Sequence, residues 1–464
     1  MIPSYEEQQI QISVLTHQLK QALAENQALK AEIRELKERL NTNSTNSSTP
    51  PSQDLFKKTK KKENSGKPKG GQPGHRGYSR QLFPLSQVQI VHVLRPNLCQ
   101  CCCSIEFDEL PISTEIRQIV ELPEIPPHVT QYNIHTCRCS NCKKHVRADI
   151  PNEAKYGFGP RLMGFITSLS GEFRLSRRQV TALMGKLGIR ICSGAVCKIH
   201  ERATEILKAP YEEIKEHVLC QGHLNGDETH WKTLGKKRWI WISLGKGAVF
   251  LQITASRSAK AFQDVFRGFS GILTTDRYDG YNTHKGLRQL CWAHAIRDFN
   301  KIAERTEVDT WIGNRLQECS KELFRHWHRF REGTILREEL IKTVEAEVKE
   351  KVRVLLKLGA IHQDCDRKTQ ATCFDFFDRF DSLWLFLYHE NVEPTNNAAE
   401  RGLRHGVIWR KLCYGSQSER GERFIERVMT VAGTLKLQAK NSFEYFTDCF
   451  RAYIYGGQAP PVCV

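Results

Sequence analysis

The sequence predicts a multidomain α/β protein, in which an α/β core carrying a helical insertion follows three smaller N-terminal modules. Three observations predict it. Apolar residues near the N-terminus repeat at three-four spacing, the mark of a coiled coil. Seven of the 17 cysteines crowd between Cys99 and Cys142. Beyond Leu219, alternating strand patterns give way to helix and then strand again. With 464 residues, roughly three structural units are expected at about 150 residues each.

Residues 1–41 form the first module. The series Ile12, Leu15, Leu19, Ala22, Asn26, Leu29, Ile33, Leu36, Leu40 fills alternating a and d positions. Asn26 falls at a, where a buried amide pair fixes register in parallel dimers, so a homodimer is expected. The competing reading is an amphipathic helix packed on its own domain. Residues 42–85 then read as a disordered basic linker, because such a polar stretch buries too little to order itself. Between Asp54 and Arg80 nine Lys and Arg face two acids. Lys57, Lys58, Lys60, Lys61 and Lys62 are its densest run, either a solvated tether or an arm that tracks DNA phosphates.

Residues 86–150 are expected to bind structural zinc. Cys99/Cys102 and Cys139/Cys142 are two C-x2-C pairs, and four thiolates at tetrahedral geometry make a closed zinc site. Cys101, Cys103 and Cys137 leave the register ambiguous, and Cys103 stands where such knuckles usually place glycine. Strand-like pieces between the clusters, over residues 109–137, would bring the pairs together. Residues 151–215 read as a helix-turn-helix-like DNA-binding domain. Ser176 caps a first short helix, Gly188 ends it, and Ser193 caps a second that presents Lys198 to a major groove.

Residues 216–415 form the core. HLNGDETHW, RWIWISLG and AVFLQITAS read as a three-stranded antiparallel meander. The helix SAKAFQDVFRGF follows, then the strand GILTTD, then RQLCWAH as a fifth strand. That order is the layout of a ribonuclease-H-like fold, with Asp227 on the first strand and Asp276 at the end of the fourth. These are adjacent central strands, so the two carboxylates can share divalent magnesium or manganese, cations that prefer hard oxygen ligands. Asp279 is the competitor of Asp276. A third acid, Glu400, lies one turn into the helix begun by EPTNNAAERGLRHGVIWRK, though N-x-x-E from Asn397 also fits a capping box. Three carboxylates with two metal ions suffice for in-line phosphoryl transfer. The long charged stretch between Asp276 and Glu400 reads as a helical insertion at about 303–385, and residues 416–464 as a C-terminal helical tail. Arg401, Arg404, Arg410 and Lys411, on or after the Glu400 helix, could grip backbone phosphates.

Composition narrows the partners. Lys and Arg number 69 against 52 Asp and Glu, a net charge of +17, which points to a polyanion and to nucleic acid first. No run of 18 apolar residues appears, arguing against a membrane span. No secretory signal is visible, so a cytoplasmic, nucleoid-associated location and reduced thiols are expected.

GDET at 226–229, DRYDGY at 276–281, QLCWAH at 289–294 and NNAAER at 396–401 resemble the transposases of the insertion sequence sixty-six family. So do the linker words NSSTPPS and KGGQPGHRG, the paired cysteines and the leading zipper, in the same order over nearly the whole chain. The resemblance implies a bacterial cut-and-join recombinase of the DDE class with a ribonuclease-H-like core and a zinc-binding module. It implies Asp227, Asp276 and Glu400 as catalytic metal ligands, binding to terminal inverted repeats and target DNA, and companion proteins of the same element. Cys291, Trp292 and His294 match its C-W-A-H; Cys291 and His294 are possible accessory residues, His294 to position a phosphate or to end a strand. The rival expectations are a non-catalytic repressor built from zipper, zinc and helix-turn-helix modules, and a relic transposase that only binds ends.

Overall fold

The computed structural model describes residues 5–43, 46, 80–305 and 307–463; Lys57, Lys58, Lys60, Lys61 and Lys62 lie outside these. The chain divides into two units, residues 58–128 and the remainder.

Helix α1 (Tyr5–Asn41) is continuous. Its stripe of Ile12, Leu15, Leu19, Leu29, Ile33, Leu36 and Leu40 is 49–61% exposed, so it is not packed on its own domain. Its C-terminal end docks, where Glu38 pairs with Arg305 at 3.1 Å and with Lys368.

In the unit of residues 58–128, one short 3-10 turn (Leu85–Gln87) is the sole regular element among the described residues. The alternating pieces from residue 109 to 135 form no strand, against expectation. Pro111, Pro123, Pro126 and Pro127 remove ladder donors there, and Ile112, Ile119 and Leu122 stand exposed. The amide of Gln118 instead donates to Phe83 O at 2.9 Å and accepts from Phe83 N at 2.7 Å. The first strands are β1 (Thr136–Arg138) and β2 (His145–Arg147), an antiparallel pair with Cys137 opposite Val146.

Helices α2 (Pro160–Gly171), α3 (Arg177–Lys186), α4 (Ser193–Ile206) and α5 (Lys208–Leu219) follow. Ser176 caps α3 through a full capping box with Gln179. Gly188, at φ +73°, closes it in a Schellman motif, with Ile189 N bonded to Met184 O and Gly188 N to Gly185 O. The N-cap of α4 is Cys192, not Ser193, and no side chain caps it, because the helix begins one residue earlier than the serine signal suggests. Lys198 is exposed on α4.

The sheet comprises β3 (His223–Thr233), β4 (Lys236–Gly245), β5 (Ala248–Thr254), β6 (Ile272–Thr275) and β7 (Arg288–Leu290), in the order β5-β4-β3-β6-β7. Strands β3, β4 and β5 are antiparallel, as the meander predicts, and β6 and β7 run parallel to β3. Helix α6 (Ala259–Val265) connects the two halves. The fifth strand is shorter than expected. It ends at Leu290, and Trp292 opens helix α7 (Trp292–Ala303), so Trp292 and His294 are helical and not strand residues.

From there the chain builds α8 (Glu307–Arg331), α9 (Arg337–Val344), a π-helical turn (Glu345–Lys349), α10 (Glu350–Ile361), α11 (Arg367–Asp378) and α12 (Leu385–Tyr388). With α7 these enclose their own core around Leu323, Trp327, Phe376, Trp384 and Phe386. Helices α13 (Asn397–Cys413), α14 (Glu419–Leu437) and α15 (Ser442–Tyr455) return to the sheet. A single buried cluster runs from Met163 in α2 through Trp241 and Phe250 of the sheet to Phe450 in α15.

Helix α14 also covers the β5 edge. Thr434 Oγ1, Thr430 Oγ1 and a Glu426 carboxylate oxygen accept from the backbone N–H of Val249, Leu251 and Ile253. Four residues of helix advance about 6 Å and two residues of strand about 6.6 Å, so the registers match over three bonds. An edge that would otherwise template pairing with another chain is satisfied.

Candidate functional site

Strand pairing places the first two acids. Asn225 of β3 pairs with Thr274 of β6 in parallel; Asp227 and Asp276 each lie two residues further on, so both side chains emerge on one face at the same end of the sheet. Asp227 Oδ1 accepts from Glu228 N at 2.9 Å, and Asp276 Oδ1 from Tyr278 N at 3.0 Å.

Glu400 reaches them because α13 is fastened to β3. Asn396 is the N-cap of α13 and is fully buried. Its side chain donates to Gly226 O at 2.7 Å and accepts from Asn225 Nδ2 at 3.1 Å, and its backbone N–H donates to Cys291 Sγ at 3.1 Å. The expected capping box between Asn397 and Glu400 does not form, because Asn397 lies inside the helix and Asn396 spends its amide on the strand. The helix lies close to the sheet at Gly402, where a Cβ would stand 2.5 Å from Ile242 Cδ1.

Burial raises Asp227 well above the usual carboxylate range, and Glu228 and Asp276 add repulsion. Glu228 is pushed up to about 7 by burial and by Asp276, against the pull of Arg257 and Tyr281. It faces away from Asp227, as strand alternation requires, bonded to Tyr281 Oη and Arg257. The Arg257 guanidinium, 3.6 Å from the Tyr278 ring centroid, reaches Asp276 Oδ2 at 3.8 Å.

The remaining letters of DRYDGY have physical roles. Arg277 pairs with Asp298 at 2.8 Å and with Asp375 of α11, tying the helical insertion to the acid cleft. Gly280 lies under the Tyr278 ring, where a Cβ would meet Cε1 at 2.4 Å. Asp279 is exposed at the start of a 3-10 turn.

His294 Nε2 and Arg297 Nη1 each stand 3.8 Å from Glu400 Oε1. Burial, aided by Arg297, lowers the histidine below its ordinary value, against Asp276 and Glu400. Cys291 is buried and its thiol is raised to about 11; it acts here as the acceptor for Asn396. An open cleft of about 470 Å³ is lined by Asp276, Arg257, His294, Arg297 and Asp298, and not by Asp227 or Glu400.

The chemistry of these donors, not their present spacing, suits a divalent cation. Glu400 Oε1 is buried without a hydrogen-bond partner, and Asp227 is destabilised as an anion; a cation would supply both the missing partner and the countercharge. The oxygens of the three acids do not all fall within 4.8 Å of one another.

The basic residues divide. Arg401, Arg404 and Lys411 are exposed, but Arg401 lines a second cleft of about 1070 Å³ with Arg331 and Arg337. Arg410 is engaged within the fold, donating to His230 O.

The cysteines fall into two matching turns. Cys99 N bonds to Ser104 O and Cys103 N to Cys99 O; Cys139 N bonds to Lys144 O and Lys143 N to Cys139 O. The fifth residue of each is left-handed, Cys103 at φ +58° and Lys143 at φ +61°, the conformation that usually selects glycine. Backbone N–H groups of Cys102 and Cys101 lower the Cys99 thiol, and those of Cys142 and Asn141 lower Cys139. Each turn thus favours a thiolate, the form that binds zinc. Cys137 belongs to β1 instead.

Sequence reading missed Asn396, Arg257 and Tyr281. The doubled asparagine before AAER and the Y-x-x-Y spacing were the available signals.

These acids stand on a mixed sheet in a chain of net charge +17. The model of the transposase IS66 family matches residues 158–423, more than half of the chain, and the chain belongs to that family. A model for a family of unknown function matches residues 2–81. An uncharacterized protein, y4hP of Sinorhizobium fredii (strain NBRC 101917 / NGR234), is 23% identical over 405 residues, 74% of this chain and 68% of its own length.

Proposed function

We propose that this transposase is a DDE enzyme with a ribonuclease-H-like core, which binds the terminal inverted repeats of its element, cuts DNA there and joins the freed end to target DNA. In the first step water attacks a phosphodiester and a 3′-hydroxyl leaves. In the second that hydroxyl attacks a target phosphodiester, so each step makes one P–O bond and breaks one. Asp227 and Asp276 would jointly hold two magnesium or manganese ions, with Glu400 completing the set. When bound, such ions activate the attacking oxygen and stabilise the leaving one.

The chain's own groups do the rest. Arg257 restrains Asp276 and Glu228 from one side, while His294 and Arg297 flank Glu400 from the other. Exposed Arg404, Lys411 and Lys198, with the Lys57–Lys62 arm, meet phosphates. The two thiolate turns, through Cys99, Cys102, Cys139 and Cys142, would bind structural zinc, and the exposed stripe of α1 would pair two chains as a coiled coil.

The observation that carries this reading is the Asn396 junction, which turns a Glu400 oxygen without a hydrogen bond toward the face bearing Asp227 and Asp276. Transposition of a marked element, in bacteria carrying all its companion genes, tests it. Wild type should move the marker, and Asp276→Asn should not, while still being made and still binding element ends. Equal movement by both would remove Asp276 from the site and sink the assignment.

A further inference from the structure

A second set of ligand-type side chains lies in the helical insertion, on elements that carry none of the three acids. Glu322 and His326 are one turn apart on α8, on one face. Glu347 approaches them from the π-helical turn between α9 and α10. One ligand atom from each lies within 4.8 Å of the others. Such π-turns recur at functional sites because the widened turn re-aims a side chain.

The histidine is the telling member. It is 5% exposed, yet neither ring nitrogen has a hydrogen-bond partner. Its Nε2 stands 3.4 Å from Glu347 Oε2. Two ligands about 2.1 Å from a tetrahedral ion are separated by about 3.4 Å, so the spacing is that of two atoms sharing one metal. Glu322 already neighbours Arg325 at 3.2 Å and Lys351 at 3.9 Å. Those cations neutralise one carboxylate, but neither forms a bond to the imidazole.

We infer that Glu322, His326 and Glu347 form a binding site for a borderline divalent transition metal, zinc being the best fit. One imidazole with two carboxylates is a zinc-type donor set, and the nitrogen disfavours magnesium and calcium. Glu347 is half exposed, so a water can complete the coordination. Bound metal would staple α8 to the start of α10 and stabilise the insertion whose α11 supplies Asp375 to the acid cleft.

Cobalt titration of the metal-stripped full-length chain tests this. Cobalt on thiolates gives an intense near-ultraviolet charge-transfer band, which a nitrogen-oxygen site lacks, so the cysteine turns are counted separately. The comparison is made in an Asp276→Asn background, which weakens uptake by the acid cleft. There the chain should bind about one more cobalt equivalent without the thiolate band than the same chain carrying Glu347→Gln. Zinc should displace it and raise the thermal midpoint further in the chain with Glu347 than in the Glu347→Gln chain, the cysteine turns contributing equally to both. Glu347 is at the surface, so its variant stays folded even if His326→Gln does not. Equal cobalt stoichiometry and equal zinc response in the two chains would overturn the site and leave an ion-pair network only.

Discussion

The cysteine turns and the acid cleft are built in opposite ways. Each turn closes within six residues: its thiol, its backbone donors and its left-handed fifth residue are all local. The acids come from a strand, a strand end and a helix spread over 174 residues, and buried polar bonds join them. A local device fails locally, whereas a site assembled across the chain can be lost by disturbing any one anchor. Substitutions should separate the two.

The largest effect belongs to the acids. Asp276→Asn or Glu400→Gln should lower strand cleavage by about a thousandfold or more, since metal-assisted charge stabilisation is worth several kcal/mol. Stability should hold, and Asp227→Asn should raise the thermal midpoint, because it removes an anion that burial and three acids already disfavour. A stable, fully active Asp227→Asn protein would break the comparison at its root.

Next is Gly402→Val. Its side chain would collide with Ile242, costing about 1–3 kcal/mol in denaturant unfolding. By shifting α13 about 1 Å it should lower cleavage roughly a hundredfold. Unchanged cleavage with reduced stability would mean that the seat of Glu400 tolerates movement.

Cys102→Ser should remove about one zinc equivalent while leaving the unfolding transition of the sheet unit in place. Loss of that transition would show that the turns are not local devices.

The smallest effect is in pH dependence. Glu426, half-buried on α14 against the β5 edge, is raised to about 7, chiefly by desolvation. Its folded value lies above its unfolded value, so the folded state holds the proton more tightly. Stability therefore falls as pH rises from about 4.5 to about 7. Glu426→Gln, whose carbonyl can still accept from Ile253 N, should flatten that fall and exceed wild type at pH 8. Parallel midpoint-against-pH curves would contradict it.

What lay on the surface of the sequence was whatever a short window encodes. Alternation of period two located β3, β4 and β5. Ser176 and Gly188 bounded α3 through bonds within five residues, and the C-x2-C spacing marked where the two turns fall. The acids were legible as words, GDET, DRYDGY and NNAAER, but the words gave no reason for their letters.

Elsewhere a plausible local signal lost to a longer-range one. The strand-like pieces after residue 109 lack a ladder, because prolines interrupt their donors. Asn397 could have capped α13 with Glu400, yet the N-cap is Asn396, whose amide satisfies β3 instead. Cys291 and His294, read at a strand, sit at a helix start because α7 begins where Trp292 N–H finds Pro394 O at 2.9 Å.

By itself, then, the sequence determined periodicity, caps, turn spacing and net charge, all set by interactions a few residues long. Only the tertiary structure decided that Asn396 holds Glu400 against the sheet, that Arg257 bridges Glu228 and Asp276, and that His326 is buried beside two carboxylates. Those contacts depend on which distant groups exclude water from one another, and desolvation is a property of the packed chain that no short window carries.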